Sequence, residues 1–163
     1  MSTVQSNEIN VPVDFSNWDI PKENPTEIYK IGSFDFKTTF SIRTHEETRS
    51  IYYTTETLHL LSQTSLKDYI QRKYGFIHFG LVQVAIKPLV HKGIDLPIFM
   101  ALRDNRLKAY KDSLLAVIQT NVCNGPVYFN CFPDFSVDLH DPLIQDALVL
   151  DIHILDNKFK EFA

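Results

Sequence analysis

Between Arg103 and Lys111 the sequence reads Arg103-Asp104-Asn105-Arg106-Leu107-Lys108-Ala109-Tyr110-Lys111. Four cations, one aromatic ring and one carboxylate fall within nine residues. Lys and Arg neutralise phosphates, and an aromatic ring stacks on an unpaired base. These residue types at this density therefore suit a single-stranded nucleic-acid surface. Such patches also occur on proteins that bind nothing. Asp104 lies at the end of an apolar run, between Arg103 and Arg106. A carboxylate there is either a strand-end residue that accepts backbone N–H bonds or pairs with a neighbouring Arg, or a residue that fixes the loop presenting the basic segment. It has no acid or base partner in its motif, which makes it a poor catalytic group.

The rest of the chain offers no competing chemistry. There is no GxGxxG, P-loop, GxSxG or HExxH, so neither a nucleotide cofactor nor a catalytic metal is signalled. His45, His59, His78, His91, His140 and His153 show no metal-ligand spacing. No cofactor and no enzymatic activity are expected. Cys123 and Cys131 are too few for a disulfide framework or a zinc site and read as buried free thiols. Polar residues follow Met1, so no signal peptide is visible, and no run of about 18 apolar residues is present.

Charge is unevenly spread along the 163 residues, whose net charge is −4. Residues 67–111 hold nine Lys or Arg (Lys67, Arg72, Lys73, Lys87, Lys92, Arg103, Arg106, Lys108, Lys111) against Asp68, Asp95 and Asp104, a balance of +6 that leaves −10 elsewhere. This asymmetry allows an acidic protein to hold an anionic ligand on one face.

The elements that must position the basic segment are mostly short strands. Residues 1–27, with Pro12, Pro21 and Pro25, read as a flexible N-terminal arm, leaving 28–163 as one domain. Residues 34–43 alternate apolar and polar side chains, as a half-buried strand does. Residues 50–57 suit a second strand. Residues 65–73 suit a helix opened by Ser65 and ending at Gly75. Residues 76–90 then read as a single buried strand, and His91-Lys92-Gly93 as a turn to a return strand at 97–102, making a central hairpin. Residues 112–120 fit either a strand or a short helix. Asn124-Gly125-Pro126 marks a turn, and strands are expected at 127–132, 135–139 and 148–155. Asp141-Pro142 reads as an N-cap followed by proline in the first turn of a short helix. Many short strands with few crossover helices favour an antiparallel sandwich or barrel over a parallel sheet.

Four segments in this order, GLVQVAIKPL (80–89), ALRDNR (101–106), GPVYFNCFPDFSV (125–137) and DALVLDIHI (146–154), resemble the 30K superfamily of plant virus movement proteins, in particular those of pararetroviruses and their endogenous copies. Leu102 and Asp104 match the family's LxD motif, whose aspartate is its hallmark. The resemblance implies a mainly β, jelly-roll-like antiparallel sandwich, here with one or two short helices. It implies a non-enzymatic protein that binds single-stranded nucleic acid, RNA or DNA, and self-associates into tubules. It implies location at plasmodesmata and the cell periphery, on the cytoplasmic side, with virion or capsid protein and peripheral membrane or plasmodesmal proteins as partners. The alternative is a capsid-like assembly protein without functional nucleic-acid binding. The family pattern continues to a glycine several tens of residues past the aspartate. Here the last glycine is Gly125, so truncation at the C-terminus, as in an endogenous viral element, is expected. The residues expected at the nucleic-acid surface are Arg72, Lys73, Lys87, Lys92, Arg103, Arg106, Lys108, Tyr110 and Lys111. Engagement of four to six of these cations would give a slope of log K against log salt of roughly −3 to −4.

Overall fold

The structure is a computed structural model that describes residues 4–8, 23, 24, 41–88, 93 and 95–155. Its elements are β1 (Val4–Glu8), β2 (Thr55–His59), α1 (Gln63–Gln71), β3 (Phe76–Phe79), β4 (Val82–Ile86), β5 (Pro97–Arg103), α2 (Tyr110–Ser113), β6 (Leu114–Asn121), β7 (Val127–Cys131), β8 (Phe135–Asp138) and β9 (Val149–Ile154), with a single 3-10 turn at Ile144–Asp146. The fold is mainly β and antiparallel, as the strand periodicity implies. Three ladders form, in the orders β1-β7-β4, β2-β9-β5-β6 and β3-β8. Separate antiparallel ladders are compatible with a jelly roll.

The four-stranded sheet is the centre of the molecule. Alternation along β5 and β9 sends Ile98, Met100, Leu102, Leu150 and Ile152 to one face, where they join Ala116 and Ile118 of β6. These pack in one apolar cluster with Val127, Phe129 and Cys131 of β7, Phe79, Val137 and Leu66 of α1. A fully buried Leu or Ile contributes roughly 1.5–3 kcal/mol by leaving water, so this cluster fixes the register of both inner strands. A one-residue slip would turn Leu150 and Ile152 outwards and Asp151 inwards.

The expected central hairpin does not form. Residues 76–90 are not one strand: Gly80 and Leu81 separate β3, which pairs with β8, from β4, which pairs with β7. The return strand β5 pairs with β6 and β9, in a different sheet from β4. A continuous apolar run marks burial, but it does not reveal a strand that changes sheet within the run. Glycine, without a side chain to pack, marks the break.

Helix α1 begins earlier than expected. Ser62, not Ser65, is the cap, and its hydroxyl accepts the Ser65 N–H at 3.4 Å. At the other end Tyr74 N–H donates to Tyr69 C=O (3.2 Å) and Lys73 N–H to Ile70 C=O (3.0 Å). This is a Schellman closure. It places Lys73, not Gly75, in the left-handed region at φ 64°.

The undecided segment 112–120 is both things in turn, one helical turn (α2) followed by β6. The turn at Asn124-Gly125 is present, with Gly125 at φ 119°, a conformation that needs glycine. The short helix after Pro142 is reduced to the 3-10 turn. Neither cysteine is in a disulfide, and Cys131 is buried. Within the expected N-terminal arm, Val4–Glu8 forms a strand on β7. The rest of that arm, apart from Glu23 and Asn24, lies outside the described residues, as do residues 34–40 of the first expected strand.

Candidate functional site

The basic segment leaves the sheet at a bulge. Leu102 pairs with Ala116 and Arg103 with Leu114, so β6 carries one extra residue, Leu115, at this point. A bulge sharpens the local twist and re-aims the side chains beyond it. Leu102 stays in the core, and Asp104, two residues on, is buried at the mouth of the loop.

Asp104 closes the loop from within. Its N–H donates to Ser113 C=O at 2.8 Å, which continues the strand pairing for one step. Its carboxylate accepts from the Arg106 backbone N–H (3.2 Å), Arg106 Nε (2.8 Å) and Arg106 Nη2 (2.6 Å). The two guanidinium bonds form a fork on the two carboxylate oxygens. The third side of the guanidinium is taken by Asp141, with Nη1 to Oδ2 at 2.9 Å. Hydrogen bonding to Asp104, opposed by burial and reinforced by Asp141, holds Arg106 charged well above its ordinary range. The Asp141 carboxyl is held below its usual range, first by the Leu143 N–H and then by Arg106. Asn105 N–H adds a bond to Asp146 C=O at 2.8 Å, tying the loop to the 3-10 turn.

Arg103 is also held inside. Its Nε donates to Asp151 Oδ2 at 2.6 Å, with side-chain exposures of 13% and 11%. Thr57 Oγ1 donates to the other Asp151 oxygen at 2.8 Å, and Arg103 Nη1 reaches Asn105 Oδ1 at 3.2 Å. The register explains the meeting: Thr57 and Ala101 both lie opposite Asp151, and Arg103 is one step along the same face. The Arg103 guanidinium carbon lies 4.9 Å from the centroid of the Tyr110 ring, within cation–π range. Tyr110 opens α2, a turn closed by Ser113 Oγ donating to Tyr110 C=O at 2.6 Å.

What remains outward at this end is narrow. Lys108 and Lys111 are exposed, Tyr110 is 51% exposed and Leu107 47%. Arg72 and Lys73, at the C-terminal end of α1, are exposed too, and Arg72 pairs with Asp68 at 3.1 Å. They are linked to the loop through a short segment. Leu139 N–H donates to Gly75 C=O (2.9 Å), and Asp141, two residues later, holds Arg106. Lys87 lies at the other end. It follows β4, whose last residue Ile86 pairs with Val127 just after the β6–β7 turn. Lys92 lies outside the described residues, but its neighbour Gly93 donates to Cys123 C=O in that same turn. The seven residues of β5 separate the two ends by roughly 20 Å. Among the described residues no group of three or more His, Cys, Asp or Glu could hold a metal ion.

The model of the viral movement protein family matches residues 26–161. The chain belongs to the viral movement protein family. This is a non-enzymatic class of viral transport proteins. The movement protein of cauliflower mosaic virus (strain W260) is 32% identical over 120 residues, 72% of this chain and 36% of that protein. The movement protein of carnation etched ring virus is 33% identical over 81 residues, covering 50% of this chain and 25% of the relative. That of figwort mosaic virus is 32% identical over 89 residues, 55% of this chain and 27% of the relative. The chain thus spans about a third of the length of the cauliflower mosaic virus relative, 36%. No solved structure matches it. Among the described residues no helix is long and apolar enough to cross a membrane.

In this member of the movement protein family, Asp104 accepts bonds from Arg106 at the mouth of the loop, and three residues not singled out as site residues from the sequence complete the arrangement. Asp151 and Thr57 hold Arg103, and Asp141 shares Arg106. Asp151 left one legible signal, a lone carboxylate in the otherwise apolar run Val149-Leu150-Asp151-Ile152, since a charge inside a strand calls for a partner. Asp141 was legible only as a cap; in the structure its Oδ1 accepts the Leu143 N–H at 2.8 Å, in the turn that leads into the 3-10 turn.

Proposed function

We propose that this domain serves the cell-to-cell passage of a viral genome or particle, and that it does so by attaching to single-stranded nucleic acid at the rim formed by Lys108, Tyr110 and Lys111 with Lys73 beside it. The observation that carries this reading is the division of labour within the basic segment. Arg103 and Arg106 are consumed by Asp151, Asp104 and Asp141, while the lysines and the ring of Tyr110 stay outward. A loop held rigidly from within presents its outward cations at low entropic cost. Self-association into tubules at plasmodesmata, with virion or capsid protein as cargo, is part of the same reading and rests on membership of the family. A fluorescent fusion that spreads evenly through the cell, with no points at the cell wall, would remove that part.

The direct test is binding to an oligothymidylate across a salt series. Each phosphate neutralised on a single strand contributes about −0.7 to the slope of log K against log salt, so three lysines give roughly −2. This is shallower than an estimate that counts both arginines. A salt-independent affinity would defeat the reading.

A second reading is favoured by the same internal pairing. With Arg103 and Arg106 engaged, the outward cationic surface is small, as suits a capsid-like assembly element that does not bind nucleic acid. Assembly that persists in a Lys73→Ala/Lys108→Ala/Lys111→Ala variant, with no oligonucleotide binding by the unaltered protein, would select it.

A further inference from the structure

We infer that Arg103 is a positioning residue, which acts on single-stranded nucleic acid only through Tyr110 and makes no phosphate contact of its own. The inference deepens the proposed function and rests on it. Four observations converge on Arg103. Its Nε is committed to Asp151 at 2.6 Å and its Nη1 to Asn105 at 3.2 Å. Its side chain is 13% exposed, too little for a phosphate to reach without breaking those bonds. Asp151 is itself held by Thr57 at 2.8 Å, so the guanidinium plane is fixed from the sheet side. The guanidinium carbon lies 4.9 Å from the centroid of the Tyr110 ring, and Tyr110 is still half-exposed.

The consequence is a half-exposed ring with a cation over one face. A flat surface that is already immobile loses little freedom when a base settles on it. Base–aromatic stacking is tolerant of sequence because every base has a π face. The row Thr57–Asp151–Arg103, with Asp151 buried at its middle, thus links the two inner strands and the edge strand β2 to the Tyr110 ring on the rim. The charge of Arg103 is balanced by Asp151 and releases no counterion when a strand binds.

The experiment is a double-variant cycle on oligothymidylate binding, read over a salt series, with Arg103→Lys, Tyr110→Leu and both together. Arg103→Lys keeps the charge and removes the planar guanidinium that lies over the ring. Positioning predicts a loss of severalfold for Arg103→Lys and of about tenfold for Tyr110→Leu, with the salt slope unchanged in each and the double variant no weaker than Tyr110→Leu alone. A phosphate contact predicts instead that Arg103→Lys binds nearly as the unaltered protein, while Arg103→Gln loses about 0.7 from the slope. A purely structural role predicts losses that add in the double variant. Either of these outcomes overturns the inference. A second readout needs no ligand: the Arg103 side-chain proton resonances should be shifted upfield by the ring and relax in Tyr110→Leu, and their failure to move would also overturn it. Absence of any binding by the unaltered protein at 50 mM salt or so would instead defeat the nucleic-acid reading itself, and the inference with it.

Discussion

Asp104 bears on stability through Arg106, and the direction of its effect follows from what it would leave behind. Asp104→Ala strips a largely buried guanidinium of its fork and leaves it only Asp141. Removing one partner of a buried ion pair costs more than the pair is worth, because an unpaired charge remains. Because the Arg106 side chain keeps 22% of its exposure, the cost should fall near or below the lower end of the buried-pair range, about 2–4 kcal/mol by urea midpoint. The Asp104→Ala/Arg106→Ala double variant should lose less than the two singles added. Additive losses would mean that the fork is not where the cost lies. Asp141 supplies a pH signature. Its folded carboxyl is depressed by the Leu143 N–H and by Arg106. Its contribution is therefore fully present above the ordinary aspartate value of about 3.9 and is lost as pH falls through the lower folded value. The gap in urea midpoint between the unaltered protein and Asp141→Asn should be constant from neutral pH to about 4 and should narrow below it. A gap that persists unchanged to pH 2 or so would contradict the assignment.

At the scale of elements, legibility followed the strength of the local pattern. The alternation of Leu148, Leu150, Ile152 and Ile154 was sufficient to place β9, and Phe135 with Val137 to place β8, because a period of two has one structural meaning when polar residues separate the apolar ones. The run 76–90 lacked such separation. Its continuous apolar character was read as one strand, although the chain crosses from one ladder to another at Gly80. Pairing of β5 with β9 was out of reach, since strands nearly fifty residues apart meet only because of packing. Helix α1 shows how a weak signal is displaced. Ser65 with Asp68 looked like a capping box, yet Ser62 takes the cap and Lys73 the left-handed closing position. That position makes its own prediction. A non-glycine residue in the left-handed region costs roughly 1 kcal/mol, which glycine avoids. Lys73→Gly should therefore raise the urea midpoint slightly, by about 0.5 kcal/mol after the greater freedom of unfolded glycine is counted. A clear fall in the midpoint would show that the closure is held by the Lys73 side chain rather than tolerated by its backbone.

For the whole molecule the question is how far a bound strand extends. The sequence showed an excess of cations over 67–111 but not their sorting, since adjacency in the chain does not reveal which end of a strand each cation occupies. Folding divides them. Lys108 and Lys111 follow the end of β5 that carries Arg103, and Lys73 precedes Gly75, which is tied through Leu139 to the segment that holds Arg106, while Lys87 lies near the β6–β7 turn at the opposite end, roughly 20 Å away along a seven-residue strand. Between the two ends, the face of β5 that carries Arg103 offers no further lysine or arginine, for Phe99 and Ala101 precede it there. A nucleic acid attached at one rim gains nothing from the distant lysine unless it also follows the sheet. Lys108→Ala and Lys111→Ala together should therefore make the salt slope shallower by about 1.4, whereas Lys87→Ala should leave it within measurement of the original. Lys108 lies in the loop and Lys111 in the short helix α2, and both side chains are exposed, so the urea midpoint should not move. If Lys87→Ala alone removed about 0.7 from the slope, the strand would have to run the length of β5, and the site would be the face of the sheet rather than its end.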